Sequence, residues 1–178
     1  MVRTMSLESP SRRWLLQVML ASQGAQLAAA QKLPFTSLSP GDAAEIEALA
    51  AQIIPSDGSP GAREAGVIYF IDKALATFDE DKRDLYRSGL AAVQEKRRRL
   101  FAGSQSIAAL TREQQIALLE SIEKTEFFEA LRTHTVMGFL ANPEYGGNRN
   151  QIGWKHIGFE NSHHFAPPFG YYDKEQNR

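Results

Sequence analysis

The stretch that decides the fold is residues 125–143, which read TEFFEALRTHTVMGFLANP. Four of its residues recur at spacings of four, three and four: Phe127, Leu131, His134 and Gly138. This is the period of one face of an α-helix. Thr125 is a suitable N-cap, and Asn142-Pro143 ends the pattern because proline cannot continue a helix. The stretch therefore predicts a helix with one buried side.

The same signs predict four more helices on the N-terminal side, at about 39–54, 62–77, 79–101 and 111–122. Ser39 caps the first of them, Asp79 is the candidate cap of the third, and Thr111 with Gln114 forms a capping box for the fourth. No segment alternates apolar and polar residues with the β-branched content of a strand. The predicted fold class is therefore all-α, a single helical domain of about five helices spanning residues 31–141.

Residues 142–178 differ in composition from this helical domain. They are rich in Gly, Pro, Asn and aromatic residues and have little helical periodicity, which predicts an extended C-terminal arm. Aromatic side chains anchor interfaces, so the candidates for contact with a partner subunit are Tyr145, Trp154, Phe165, Pro167, Pro168, Phe169, Tyr171 and Tyr172. Within this set Trp154 is also expected, with Phe159, to cover the chain's own helices. The run from His163 to Tyr172 is expected to lie on the partner.

Residues 1–30 have the three parts of a signal peptide. A basic start at Arg12-Arg13 precedes a diluted apolar stretch, and Ala28-Ala29-Ala30 resembles a cleavage site. The adjacent arginines indicate the twin-arginine route, although Gln17 stands where that signal usually has lysine. The alternative is an ordinary amphipathic N-terminal helix. The signal interpretation predicts a periplasmic protein, and that route carries folded, cofactor-loaded cargo.

Composition narrows the chemistry that this chain of 178 residues can perform. A formal net charge of -1 argues against nucleic acid as the main partner. The sequence contains no cysteine, which removes disulfides, thiolate metal sites, iron–sulfur clusters and covalently attached c-type haem. With no cofactor motif of its own, the chain is expected to hold no cofactor, so the loaded cargo of the export route would be a partner.

Several residues allow both a chemical and a structural interpretation. His134 lies on the apolar face of its helix and is expected to be a hydrogen-bonded core residue. His156, His163 and His164 leave open an independent metal-binding protein or enzyme. Glu144-Tyr145 could act as an acid/base pair, but Gly146 and Gly147 favour a turn that positive φ angles and asparagine hydrogen bonds stabilise. The basic run at 96–99 is expected to be a solvated helix end, with a patch for an acidic partner as the alternative.

Three stretches together resemble one family. They are residues 53–67, IIPSDGSPGAREAGV, residues 127–139, FFEALRTHTVMGF, and residues 142–159, NPEYGGNRNQIGWKHIGF. The sequence is similar to the gluconate 2-dehydrogenase subunit 3 family, the small or gamma subunits of membrane-bound sugar dehydrogenases. The resemblance covers roughly Leu38 to Asp173, and the third stretch is its most specific part.

The resemblance implies a non-catalytic subunit in an oxidoreductase complex. The catalytic partner would be a large flavoprotein of the glucose–methanol–choline type that holds FAD and oxidises a sugar or sugar acid. Many such complexes also contain a cytochrome c subunit. The small subunit would assist the folding and stability of the flavoprotein and carry it through the twin-arginine translocase. A free-standing binding module without such a partner is a further alternative.

Overall fold

The computed structural model of the chain describes residues 35–162. The predicted signal peptide, with Arg12 and Arg13, lies outside the described residues. So do six of the predicted partner contacts: Phe165, Pro167, Pro168, Phe169, Tyr171 and Tyr172.

The described residues form six α-helices and contain no β-strand, which confirms the all-α class. The helices are α1 (Pro40–Ile53), α2 (Val67–Ala76), α3 (Arg83–Leu100), α4 (Arg112–Glu120), α5 (Glu126–Leu140) and α6 (Ile152–Ile157). Short 3-10 turns at Glu80–Lys82, Pro143–Tyr145 and Arg149–Gln151 join them. None of the helices within residues 35–162 is both long and apolar enough to span a membrane.

Local capping chemistry explains where three of the helices begin. The hydroxyl oxygen of Ser39 accepts a hydrogen bond from the N–H of Asp42 at the start of α1. Thr111 and Gln114 form the predicted capping box of α4, and Thr125 caps α5 by accepting from the N–H of Phe128. These side chains satisfy N–H groups that have no partner inside the helix. The three predicted caps are confirmed.

Two predicted helix starts were wrong. The second helix begins at Val67 rather than at Ala62, because Gly66 has a left-handed φ of 67° that interrupts the helical backbone. Asp79 makes no capping hydrogen bond, and a 3-10 turn precedes α3. The carboxylate of Asp79 instead accepts hydrogen bonds from Lys82 and His134, so its oxygens do not cap the helix.

The core forms where α5 lies against α1, α2, α3 and α6. Phe127 and Leu131 on α5 are buried together with Ile46 and Leu49 of α1 and Ile71 of α2. Gly89 lets α3 approach closely, because a Cβ there would lie 2.3 Å from the ring of Phe127. The face of α5 predicted from the spacing of its residues is therefore the face that the other helices cover.

The segment before α1, residues 35–38, is fastened to α2 by one buried carboxylate. Asp72 is 5% exposed and accepts hydrogen bonds from the N–H groups of Thr36, Ser37 and Leu38, each at 2.8 Å. The ring of Phe35 stacks on that of Tyr69 with centroids 5.3 Å apart. We call residues 35–38 the lead-in segment.

Candidate functional site

The described part of the arm, residues 142–162, packs on α5 by direct backbone contact. We call this contact the seat of the arm. A Cβ at Gly153 would lie 1.8 Å from the carbonyl oxygen of Phe139, and one at Gly147 would lie 2.1 Å from that of Gly138. Real Cβ atoms never approach a carbonyl oxygen so closely, so only glycine fits at these two positions. The Gly-rich motif is therefore explained by close packing against α5.

The predicted positive φ in this motif is confirmed at Gly146, whose φ is 99°, but not at Gly147. Gly147 is required by its closeness to α5 instead. The described arm is also less extended than predicted, because two 3-10 turns and α6 occur within residues 143–157.

Asn148 holds the arm from the inside. It is fully buried with a left-handed φ of 46°. Its amide nitrogen donates to the carbonyl of Ala141, and its amide oxygen accepts from the N–H of Gly153, both at 2.8 Å. Asn142 accepts from the N–H of Glu144 as well. The predicted role of asparagines as hydrogen-bonding partners of the loop backbone is confirmed.

Trp154 was predicted both as a partner contact and as a cover for the chain's own helices. The structure shows it covering the helices. It is 9% exposed, its indole N–H donates to the carbonyl of Leu140 at 2.7 Å, and its ring meets that of Phe159 at 5.2 Å. Burial of the ring and satisfaction of its single polar group place it inside the subunit, which corrects its assignment to the partner interface. Phe159 remains 49% exposed.

An open apolar groove of about 580 Å³ lies beside this seat. Its lining comes from the first half of α2, the residues that follow α2, the C-terminal half of α5 and the turn after α5: Phe70, Phe78, Val136, Met137, Leu140, Ala141, Asn142 and Tyr145. Phe78 is 53% exposed and Met137 43%, although both side chains are large and apolar. Exposed apolar side chains that lie together make this groove a candidate interaction site.

Tyr145 is the predicted partner contact that the structure places in the groove. It is 45% exposed, and the ammonium of Lys73 lies 5.8 Å from its ring centre. Lys73 also donates to the backbone carbonyl of Glu144 at 2.8 Å. Tyr145 therefore lines the groove, while Glu144 is engaged through its backbone.

The other groove residues were not predicted, although the sequence contains a signal for them. Val136 and Leu140 lie on the side of α5 opposite to Leu131 and His134, and Met137 lies between the two sides. A helix that is apolar on both sides contacts something on each side. The second apolar face of α5 was thus readable from the helical spacing.

The second arrangement of interest is a buried hydrogen-bonded chain of three side chains. His134 is 1% exposed, its Nδ1 lies 2.8 Å from the hydroxyl of Tyr86, and its Nε2 lies 2.9 Å from a carboxylate oxygen of Asp79. This confirms His134 as a hydrogen-bonded core residue. These hydrogen bonds connect α3, α5 and the segment between α2 and α3.

Two groups of this chain have displaced pKa values. Burial of Asp79 opposes ionisation, but hydrogen bonds from Lys82 and His134 outweigh it and lower the pKa of the carboxyl below 3.8. Burial raises the pKa of the Tyr86 hydroxyl, and the nearby Asp79 carboxylate adds to this effect. Tyr86 is therefore a neutral hydrogen-bonding group at physiological pH.

The lowered pKa of Asp79 predicts that part of the folding stability disappears in acid. A carboxyl whose pKa is lower in the folded state stabilises the fold above its unfolded pKa, and this stabilisation is lost as the pH falls through the folded value. We expect Asp79→Asn to lose less stability than the unsubstituted protein when the pH falls from about 5 to about 2.5. Denaturant titrations at the two pH values measure this difference. Equal losses in both proteins would contradict it.

The basic run at 96–99 is less solvated than predicted. Arg97 is 6% exposed, and its guanidinium donates to the carbonyl of Ser104. Arg98 and Arg99 both pair with Glu95, at 2.7 and 2.9 Å, which neutralises part of their charge. Arg97 thus closes the turn after α3, and the prediction of a wholly solvated helix end was wrong for this residue.

Of the three histidines that left a metal-binding protein or enzyme open as an alternative, the structure describes only His156. Residues 35–162 contain no group of three or more His, Asp or Glu side chains placed to hold a metal ion. His156 meets the ring of Phe139 edge-on at 6.1 Å. His163 and His164 lie outside the described residues.

Comparison with known proteins connects this architecture to a family. The family model of gluconate 2-dehydrogenase subunit 3 matches residues 40–160, which covers α1 to α6 and the seat of the arm. No curated protein and no solved structure matches the chain. Because the match spans more than half of the sequence, the chain belongs to the gluconate 2-dehydrogenase subunit 3 family.

Proposed function

We propose that this chain is the non-catalytic small subunit of a dehydrogenase complex for a sugar or sugar acid, and that its partner is a large FAD-containing flavoprotein of the glucose–methanol–choline type. It assists the folding, stability and twin-arginine export of that flavoprotein into the periplasm. The observation that carries the proposal is the apolar groove on a chain that belongs to a family of dehydrogenase subunits. An apolar groove that residues 35–162 leave open fits a component that completes its surface by assembly.

The position of the groove also supports an assembly role. Its residues belong to α5, which lies against four other helices, to the first half of α2, to the residues after α2 and to the turn after α5. A surface built on central helices is held rigidly, so little conformational freedom is lost when a partner docks on it. Tyr145 and Met137 provide side chains of the types that are enriched at interfaces.

Export of the pair tests the escort role. The subunit and its flavoprotein partner are produced together in the native host, and their amounts in the periplasm and cytoplasm are measured by immunoblot and flavin absorbance. We expect Arg12→Lys combined with Arg13→Lys to leave both proteins in the cytoplasm, because the twin-arginine signal requires the pair. Arg3→Lys, a basic residue of the same leader outside the pair, is the matched control and should export both normally.

Two results would contradict the proposal. The escort role fails if the flavoprotein still reaches the periplasm when this subunit does not. The non-catalytic role fails if the purified subunit alone oxidises a sugar acid or binds flavin in stoichiometric amount.

A further inference from the structure

We propose that residues 163–172 of this chain, which read HHFAPPFGYY, occupy the apolar groove of their own subunit. We call these residues the terminal segment. The proposal concerns the free subunit, before a partner takes the groove, and its test on the purified chain does not depend on the proposed function.

The chemistry of the terminal segment matches that of the groove. The segment contains four aromatic residues and no Asp, Glu, Lys or Arg. The groove is lined mainly by apolar side chains, of which Phe78, Met137 and Tyr145 are each more than 40% exposed. Burial of the aromatic rings against these side chains removes apolar area from water on both sides, which is favourable. Pro167 and Pro168 limit the backbone freedom that is lost on docking.

The place where the described chain ends brings the terminal segment close to the groove. Phe159 contacts the ring of Trp154, and Trp154 donates its indole hydrogen bond to the carbonyl of Leu140, whose side chain lines the groove. Where the chain leaves α6, it is therefore separated from the groove wall by only two contacts, that of Phe159 with Trp154 and that of Trp154 with Leu140. Ten residues reach up to roughly 33 Å when extended, which is ample for this separation.

The seat of the arm keeps the terminal segment near the groove on which it docks. Gly147 and Gly153 fix the arm to α5 by backbone contact, and α5 provides Val136, Met137 and Leu140 to the groove. Because the arm and the groove share one helix, the terminal segment is held at high effective concentration beside its site. An outside ligand has no such advantage.

Disulfide trapping tests this inference. Because the sequence contains no cysteine, two introduced cysteines are the only thiols that can form an intramolecular disulfide. In the full chain, Met137→Cys is combined in turn with Phe165→Cys, Phe169→Cys and Tyr172→Cys. The matched control places the groove cysteine at Ile116 on α4 instead, which is 37% exposed against 43% for Met137. We expect at least one Met137 pair to oxidise within the monomer on the order of tenfold faster than its Ile116 counterpart. Non-reducing electrophoresis and peptide mass spectrometry measure the rate and identify the bond.

Three outcomes overturn the inference. Equal rates for the Met137 and Ile116 pairs would mean random collision. Disulfides that link two chains would assign the groove to a second copy. Faster oxidation of Met137→Cys paired with Leu20→Cys would assign it to the leader.

A second measurement needs no cysteine. Chymotrypsin cleaves after Phe165 and Phe169, and docking shields these sites, so cleavage tracks the open population. We expect Val136→Glu, which places a charge in the groove, to speed this cleavage several-fold, and Ile116→Glu to leave it unchanged. An unchanged rate in Val136→Glu, with circular dichroism showing an intact fold, would overturn the inference.

Discussion

Replacing Gly153 with alanine is expected to lower the free energy of unfolding by roughly 3 kcal/mol, at the upper end of what overpacking costs. The new Cβ would lie 1.8 Å from the carbonyl oxygen of Phe139, so either α6 or the backbone of α5 must move. Movement of α6 also breaks the hydrogen bond that the N–H of Gly153 donates to the amide oxygen of Asn148, and it exposes Trp154, which that helix holds in place. The substitution therefore weakens the seat of the whole arm.

Denaturant unfolding measures the loss of stability, and tryptophan fluorescence shows where it occurs. The chain contains two tryptophans, so Trp14→Phe leaves Trp154 as the single reporter. We expect its emission to shift to longer wavelength in Gly153→Ala at a denaturant concentration where the domain is folded. Gly103→Ala is the control, because a Cβ at Gly103 meets nothing within 4 Å. Unchanged emission and stability in Gly153→Ala would show that backbone contact does not hold the arm.

Replacing Asp72 with alanine is the second substitution with a large expected effect. It removes the acceptor of three backbone N–H groups in the lead-in segment, each 2.8 Å from the carboxylate. Hydrogen bonds to a charged group are individually among the stronger ones, and the N–H groups left behind are partly buried. We expect the free energy of unfolding to fall by about 3 kcal/mol.

Amide hydrogen exchange locates this effect. The N–H groups of Thr36, Ser37 and Leu38 should exchange much faster in Asp72→Ala, because the lead-in segment loses its fastening to α2. Asp81→Ala removes an exposed carboxylate in the turn before α3 and should change stability by less than about 0.5 kcal/mol. Protection of the three amides in Asp72→Ala would mean that Phe35 stacking on Tyr69 suffices to hold the segment.

Local signals in the sequence were enough to predict most of the helical architecture. Ser39, Thr111 and Thr125 act as predicted because a cap is decided by residues within one turn of it. The spacing along α5 identified its buried face for the same reason. The start of α2 was misplaced because the left-handed φ of Gly66 is not visible in the spacing. A Cβ at Gly66 would also meet the side chain of Arg149, a residue far along the chain.

The parts that could not be predicted depend on contacts between distant residues. Asp79 and His134 are 55 positions apart, so a carboxylate that resembles a helix cap is instead the partner of a buried histidine. Arg97 lies in a basic run that is usually solvated, yet the turn after α3 folds over it. The groove forms only because residues of α2, α5 and the turn at Pro143–Tyr145 converge. Helical spacing could have indicated a second apolar face on α5, but not which neighbours would leave it uncovered.

The glycine contacts between the arm and α5 also have a mechanical consequence. Side chains that separate two segments can change rotamer and so absorb a small displacement, but at Gly147 and Gly153 the two backbones meet without such a buffer. Closely packed interiors transmit strain rather than absorb it. Tension applied to the chain beyond Ser162 would therefore pass through α6 into α5, and from there to α1, α2 and α3.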